Sequence, residues 1–246
     1  MHMGVINIYP NKYVLQHLSI GKQLEKELRI RIISQHIQVG EILSENQIAK
    51  AYNVSRSPVR EALRTLESER LLRLERMGVV ILGMSEKDIE EVYDVRLMIE
   101  SFVMKRLLER ENNDTLVKEL RKIHEMMHVA IKFQDMDEFS LQDMNFHETI
   151  IRSIQHQQMT IVWEQLRPVM ECLIILSMRY RGLTNYRDFE RILTNHELII
   201  DAIETKENTK VDLAFESNFN DVQNGVEDLW TNPEMLKEVR EYVEEN

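Results

Sequence analysis

The chain has 246 residues, enough for two domains with sizeable cores, and its 31 Lys and Arg against 42 Asp and Glu give a net charge of −11. A single cysteine, Cys172, excludes a disulfide framework and a Cys-rich zinc site, and no apolar run approaches the ~18 residues of a membrane span. The N-terminus shows no signal-peptide pattern, so a soluble, cytoplasmic protein is expected, and the scarcity of glycine (7) and proline (4) favours long helices joined by short loops.

Residues 1–18 carry little pattern. A first helix is predicted over 20–37, with Leu24, Leu28, Ile32 and Ile33 on one side, and Gly40 ends it. Ser44 is suited to cap a helix starting at Glu45, in which Ile48, Ala49 and Tyr52 follow at helical spacing. Asn53 stops that helix, Ser55 caps the next, and Pro58 sits in its first turn, where a missing N–H costs little. Val59, Ala62, Leu63 and Leu66 form the buried stripe of this second helix, while Arg56, Ser57 and Arg60 crowd its exposed first turn. Two β-prone runs, Leu72–Glu75 and Val79–Leu82, flank Arg76-Met77-Gly78, with Gly78 expected to supply the turn.

Two short helices, a tight turn and a ribbon describe a winged helix-turn-helix domain. Arg56 and Arg60 could be ordinary solvated arginines, but cap, turn, recognition helix and wing arrive together, which favours contact with phosphates and guanine edges. Asn46, Ser55 and Ser57 are placed for the same duplex. Charge divides accordingly: residues 1–83 hold 12 Lys and Arg against 8 Asp and Glu, whereas residues 84–246 hold 19 against 34. A basic head on an acidic body suits a protein whose head alone meets double-stranded DNA. One winged helix reads too few bases to select an operator, so a homodimer on a two-fold symmetric site is expected.

The second domain, 84–246, is predicted to be all-α. Ser85 with Asp88 resembles a capping box opening a helix over 86–110, whose stripe is Ile89, Val92, Arg96, Ile99, Val103 and Leu107. Further helices are predicted over 115–133, 136–154, 158–181, 186–204, 209–230 and 234–244, with Asp114 and Asp137 as caps. The fold class is therefore mainly α, a winged helix-turn-helix domain followed by a helical bundle.

Three places in the bundle put polar groups where the helical pattern wants hydrocarbon. Asp143 and His147 are four apart and so share a face, flanked by Phe139, Phe146 and Ile150. His196 lies on the stripe of Ile192, Ile199 and Ile203, and Asn218 lies among Phe215, Phe219 and Val222. A buried carboxylate with two imidazoles is costly alone and reasonable if paired or bound to a cation. Two readings stand: satisfied core residues hydrogen-bonded to one another, or ligands for a divalent metal such as zinc, nickel or manganese.

The run LSENQIAKAYNVSRSPVREALRTLESERLL resembles the signature of the GntR family of bacterial transcription regulators. The bundle is similar to the ligand-binding (FCD) domain of the FadR-type branch through Arg96-x-x-x-Glu100, Asp143-x-x-x-His147 and His196 followed by Glu-Leu-Ile-Ile-Asp-Ala-Ile. The resemblance implies that Arg76–Gly78 at the wing tip reach an adjacent groove, that Asp143, His147 and His196 are metal ligands, and that Arg96 meets a ligand carboxylate. Against this last role stands a structural pairing of Arg96 with Glu100. Many relatives carry a histidine as fourth ligand where this chain has Asn218, a weaker donor. The resemblance further implies a repressor, not an enzyme, released by a sugar acid such as gluconate. The alternatives are a sensor of another carboxylate or an acyl-CoA, and a metal-dependent enzyme tethered to DNA by its head. Against the enzyme, the sequence shows no general base beyond the presumed ligands and no nucleophile motif.

Overall fold

The computed structural model describes residues 9–10, 17–207, 234 and 238–239. The chain divides into two compact units with the break between Ser85 and Glu86, and the described C-terminal residues Glu234, Glu238 and Val239 group with the first.

In the first unit, α1 (Ile20–Ile33) is capped by Ser19, whose hydroxyl accepts from Lys22 N, and its last turn leads through Gly40, at φ +81°, into β1 (Ile42–Leu43). α2 (Glu45–Ala51) and α3 (Arg56–Ser68) follow, then β2 (Leu72–Glu75) and β3 (Gly78–Ile81). α1 packs on α3, and Leu24, Leu28, Ile48, Val59, Leu63, Leu66, Leu72, Val79 and Ile81 make the core, each no more than 3% exposed. The buried positions are those the helical and alternating patterns predict.

Three features differ from the sequence expectation. The ribbon is a three-stranded antiparallel sheet in the order β1-β3-β2, because Ile42 and Leu43 pair with Val80 and Val79. Two residues are too short a run to show periodicity. Secondly, Gly78 does not make the turn: it pairs with Glu75 inside β3, and Arg76-Met77 is the tip. Gly78 is required for another reason, since at φ +150° a Cβ would lie 2.7 Å from the Leu43 carbonyl oxygen of β1. Lastly, α1 is not one-sided, because Glu25, Glu27, Arg29 and Arg31 are buried as well as its apolar stripe.

The second unit is all helical among the described residues. α4 (Glu86–Glu109), α5 (Asp114–Lys132), α6 (Met136–Ser153), α7 (Gln157–Thr184) and α8 (Phe189–Thr205) fall where the pattern places them, with a 3-10 turn, Tyr186–Asp188, before α8. α7 runs on through Pro168. α5 packs on α6 and α8, and α4 and α6 both pack on α7, around Phe139, Phe146, Trp163, Phe189 and Met127, all fully buried. Caps shift by one or two residues. Asn113 rather than Asp114 holds the N-cap position of α5, and Asp135 rather than Asp137 caps α6 by accepting from Glu138 N at 3.0 Å. Asp137 instead takes the Arg179 guanidinium in two bonds of 2.6 and 2.7 Å. No helix among the described residues is long and apolar enough to cross a membrane. The helix expected over 209–230, most of that over 234–244, and Asn218 lie outside the described residues.

Candidate functional site

Two polar constellations stand out, one in each unit. In the first unit a reciprocal capping box starts α2: Ser44 Oγ accepts from Gln47 N at 3.2 Å and Gln47 Oε1 accepts from Ser44 N at 2.7 Å. α3 begins at Arg56, with Ser55 at the cap position; its hydroxyl makes no capping bond and is left outward. Asn46, Ser55, Arg56, Ser57 and Arg60 are all exposed at the α2–α3 junction, and Arg76 is exposed at the tip beside Met77, which is 86% exposed. Gly78 is half-buried under β1. Arg60 is not bare, because its Nε donates to Glu45 Oε2 at 2.9 Å. Such an exposed pair adds little stability.

The second constellation is internal. Helical spacing puts Tyr93, Arg96 and Glu100 on one face of α4, Asp143 and His147 on one face of α6, and His196 on α8. All six are buried, Asp143 to 5% exposure, His147 to 2% and His196 to 1%. Arg96 Nε donates to Glu100 Oε1 at 2.8 Å, and the same oxygen lies 3.0 Å from His147 Nδ1. His196 Nδ1 lies 2.8 Å from the Ile192 carbonyl oxygen, which can only accept, so Nδ1 carries a proton. The Phe146 ring stands edge-on to His196 and His147 at 4.7 and 5.5 Å between centroids.

What this leaves is informative. The Nε2 atoms of both histidines are buried without a hydrogen-bond partner among the described residues. Asp143 Oδ1 lies only 3.1 Å from His196 Nε2, yet the two are not aligned as a hydrogen bond. With Nδ1 protonated, a lone pair and a carboxylate oxygen face each other, which is tolerable only if positive charge joins them, as a proton or a metal ion. Burial and the Arg96 charge hold the His147 pKa below its ordinary value, so its ring is neutral, the form that ligates metal. Burial opposes the Asp143 charge, but the contact with His196 and the Arg96 charge outweigh it and hold the carboxyl well below the usual range. Burial likewise opposes Glu100, whose pKa falls to about 2 beside Arg96 and His147, and it pushes the Tyr93 phenol up to about 12. One oxygen or nitrogen from each of Asp143, His147 and His196 lies within 4.8 Å of the others. A small inward shift closes such a set on an ion with bonds of ~2.0–2.2 Å. These residues fit a divalent cation on their own geometry.

The chain matches the family model "Bacterial regulatory proteins, gntR family" over residues 20–81 and the FCD domain model over residues 91–217. It belongs to the GntR family, in its FCD branch. This GntR-family chain is 55% identical to the gluconate operon transcriptional repressor of Bacillus licheniformis, over 93% of each chain. It is 53% identical to the protein of that name in Bacillus subtilis (strain 168), over 96% of each. The solved structure of E. coli McbR/YncC shares the fold, with a TM-score of 0.63 over 84% of this chain and 98% of that one, at 18% identity.

Within the GntR-family frame, the structure brings together four of the five residues read as ligand-binding, Arg96, Asp143, His147 and His196, while Asn218 lies outside the described residues. The Arg96–Glu100 pairing forms, through Nε alone. Glu100 and Tyr93 complete the cluster and were not singled out as site residues, although Glu100 lies one turn beyond Arg96 on the same inward face. An open cleft of about 470 Å³ lined by Arg106, Arg110, Ser153 and His156 contains none of these groups.

Proposed function

We propose that this protein is a homodimeric transcriptional repressor of gluconate-utilisation genes that leaves its operator when gluconate, or a related sugar acid, enters the pocket of Asp143, His147 and His196. The observation that carries the effector is identity of 53–55% to two gluconate operon repressors along almost the whole chain. The pocket chemistry supports it, since a buried carboxylate and two imidazoles turned inward suit a hydroxy-acid far better than an acyl chain. A divalent ion such as zinc, nickel or manganese, held by Asp143, His147 and His196, would supply charge that neutralises Asp143 and open positions for a carboxylate and its neighbouring hydroxyl. By family resemblance, Asn218 would stand in the place of the fourth donor, a weaker one than an imidazole. Arg96, whose Nε alone is occupied, turns its remaining donors to the effector carboxylate.

Residues 1–83 act as the DNA-reading head and 84–246 as the effector-binding and dimerising body. Arg56 and Arg60 read base edges from the first turn of α3, Asn46, Ser55 and Ser57 meet phosphates or bases beside them, and Arg76 with the Gly78 backbone enters a neighbouring groove from the tip. The soluble protein acts in the cytoplasm as a sensor rather than an enzyme.

The test is fluorescence anisotropy on a DNA site selected by the protein from a random pool. Millimolar gluconate is expected to raise the apparent Kd at least tenfold, with citrate and an acyl-CoA inert. Release by an acyl-CoA and not by gluconate would overturn the effector. A full response in EDTA by metal-free protein would remove the ion from the reading and leave direct hydrogen bonding of the sugar acid.

A further inference from the structure

The two histidines of the pocket are aimed by different devices. His196 is fixed by the main-chain carbonyl of Ile192 in its own helix, at 2.8 Å, an acceptor no substitution removes. His147 is fixed by a side chain from another helix, since Glu100 Oε1 lies 3.0 Å from its Nδ1 and also accepts from Arg96 Nε at 2.8 Å. We propose that Glu100 is a positioning residue for the ligand set: it holds His147 in the Nδ1–H tautomer, turning the Nε2 lone pair toward Asp143 and His196, and Arg96 holds Glu100 in place to do so. The proposal rests on the reading of the pocket as a divalent-cation site.

The physical reason is the near-degeneracy of the two imidazole tautomers, which leaves the choice to whatever the ring nitrogens face. An ionised carboxylate can only accept, so Glu100 demands a proton on Nδ1. Without it, the anion left in the set is Asp143, which offers an oxygen within 4.8 Å of a ring nitrogen of His147. The field of Asp143 draws the proton to Nε2, and a protonated Nε2 cannot ligate. His147 Nε2 is buried without a partner among the described residues, so the Glu100 contact is what holds the proton on Nδ1 against the field of Asp143. Arg96 thereby acts on the ligand set through Glu100 without belonging to it, as carboxylates behind metal-bound histidines do elsewhere.

The experiment uses the full chain with ring-15N histidine, stripped of metal with EDTA, and reads each tautomer from long-range 1H–15N spectra at pH 8. Wild type is expected to show His147 and His196 as Nδ1–H. Arg96→Leu/Glu100→Leu, which leaves no charge of the pair buried alone, is expected to move His147 to Nε2–H or a mixture while His196 stays unchanged as internal control. Glu100→Gln keeps an acceptor oxygen and is expected to keep the wild-type tautomer. In Zn2+ titrations the double variant should bind 10–100-fold more weakly than wild type, and Glu100→Gln close to it. An Nε2–H tautomer of His147 in metal-free wild type overturns the proposal with no variant needed. So does an unchanged Nδ1–H tautomer in the folded double variant. Wild type that binds no Zn2+, Ni2+ or Mn2+ would defeat the cation reading alone, and the spectra would still decide the role of Glu100.

Discussion

Each unit buries a polar cluster, and the two are built oppositely. In α1, Arg29 is 1% exposed and its guanidinium is held by two carboxylates: Nε and Nη2 bind Glu69 at 2.7 and 2.6 Å, and Nη2 also meets Glu25 at 2.9 Å. Lys22 closes the other side of Glu25 at 2.8 Å. In the pocket of the helical unit, Arg96 and Glu100 satisfy part of the set, but the two histidine Nε2 atoms have no hydrogen-bond partner among the described residues, and that of His196 lies 3.1 Å from Asp143 Oδ1. A closed set joins elements; an open one waits for something to close it. Burial by itself does not distinguish them, since both are nearly dry. The count of unanswered lone pairs does.

The largest expected effect tests the closed set. Arg29→Met leaves the buried Glu25 and half-buried Glu69 beside each other with Lys22 as their cation among the described residues, and should cost the first unit about 3–5 kcal/mol in urea unfolding. A loss under ~1 kcal/mol would show that the cluster is not structural, and the contrast would fail.

The open set should respond in the other direction. Zn2+ or Ni2+ at a hundred times its Kd should stabilise the metal-stripped helical unit by about 2.7 kcal/mol, seen as a rise in its unfolding midpoint that EDTA reverses. His196→Ala should abolish that rise. An equal rise in His196→Ala would place the ion elsewhere.

A third, smaller effect belongs to the exposed junction, where no burial amplifies it. Arg56→Ala should weaken binding to the selected operator by about 1–3 kcal/mol, with thermal unfolding unchanged. Equal affinity in mutant and wild type would remove Arg56 from base reading.

The smallest separates burial from pairing. Glu171 on α7 is 3% exposed, and burial pushes its carboxyl up to about 7 although Arg167 Nη1 donates to it at 2.8 Å. A raised acid binds its proton more tightly folded than unfolded, so this group's contribution falls as pH rises from about 4.5 through 7. Glu171→Gln should therefore be more stable than wild type at pH 8 than it is at pH 5, by on the order of 1 kcal/mol given the Arg167 bond. A difference that does not change with pH would mean that Arg167 holds Glu171 ionised throughout.

Periodicity and capping chemistry are local, and so the sequence by itself determined the described helices of both units, the recognition-helix stripe of Val59, Ala62, Leu63 and Leu66, and the shared face of Asp143 and His147. Motif resemblance did the rest of the family assignment through residues 43–72. Local rules failed where the deciding partner was distant. Gly78 owes its place to the Leu43 carbonyl, a β1 contact 35 residues away that no turn rule contains. Asp137 lost the cap to Asp135 because Arg179 of α7 claimed its carboxylate. Arg29 and Glu69, forty residues apart, read as surface charges until packing removed the water from between them. In the pocket, spacing placed each of Arg96, Glu100, Asp143, His147 and His196 on an inward face, but a face is a direction and not a distance. Only the crossing of α4, α6 and α8 decided that one oxygen of Glu100 would hold both Arg96 and His147, and that Nε2 of His196 would be left 3.1 Å from an Asp143 oxygen. Hydrogen-bond satisfaction is a property of three-dimensional neighbourhoods, so the feature that singles out this candidate pocket exists only in the folded chain.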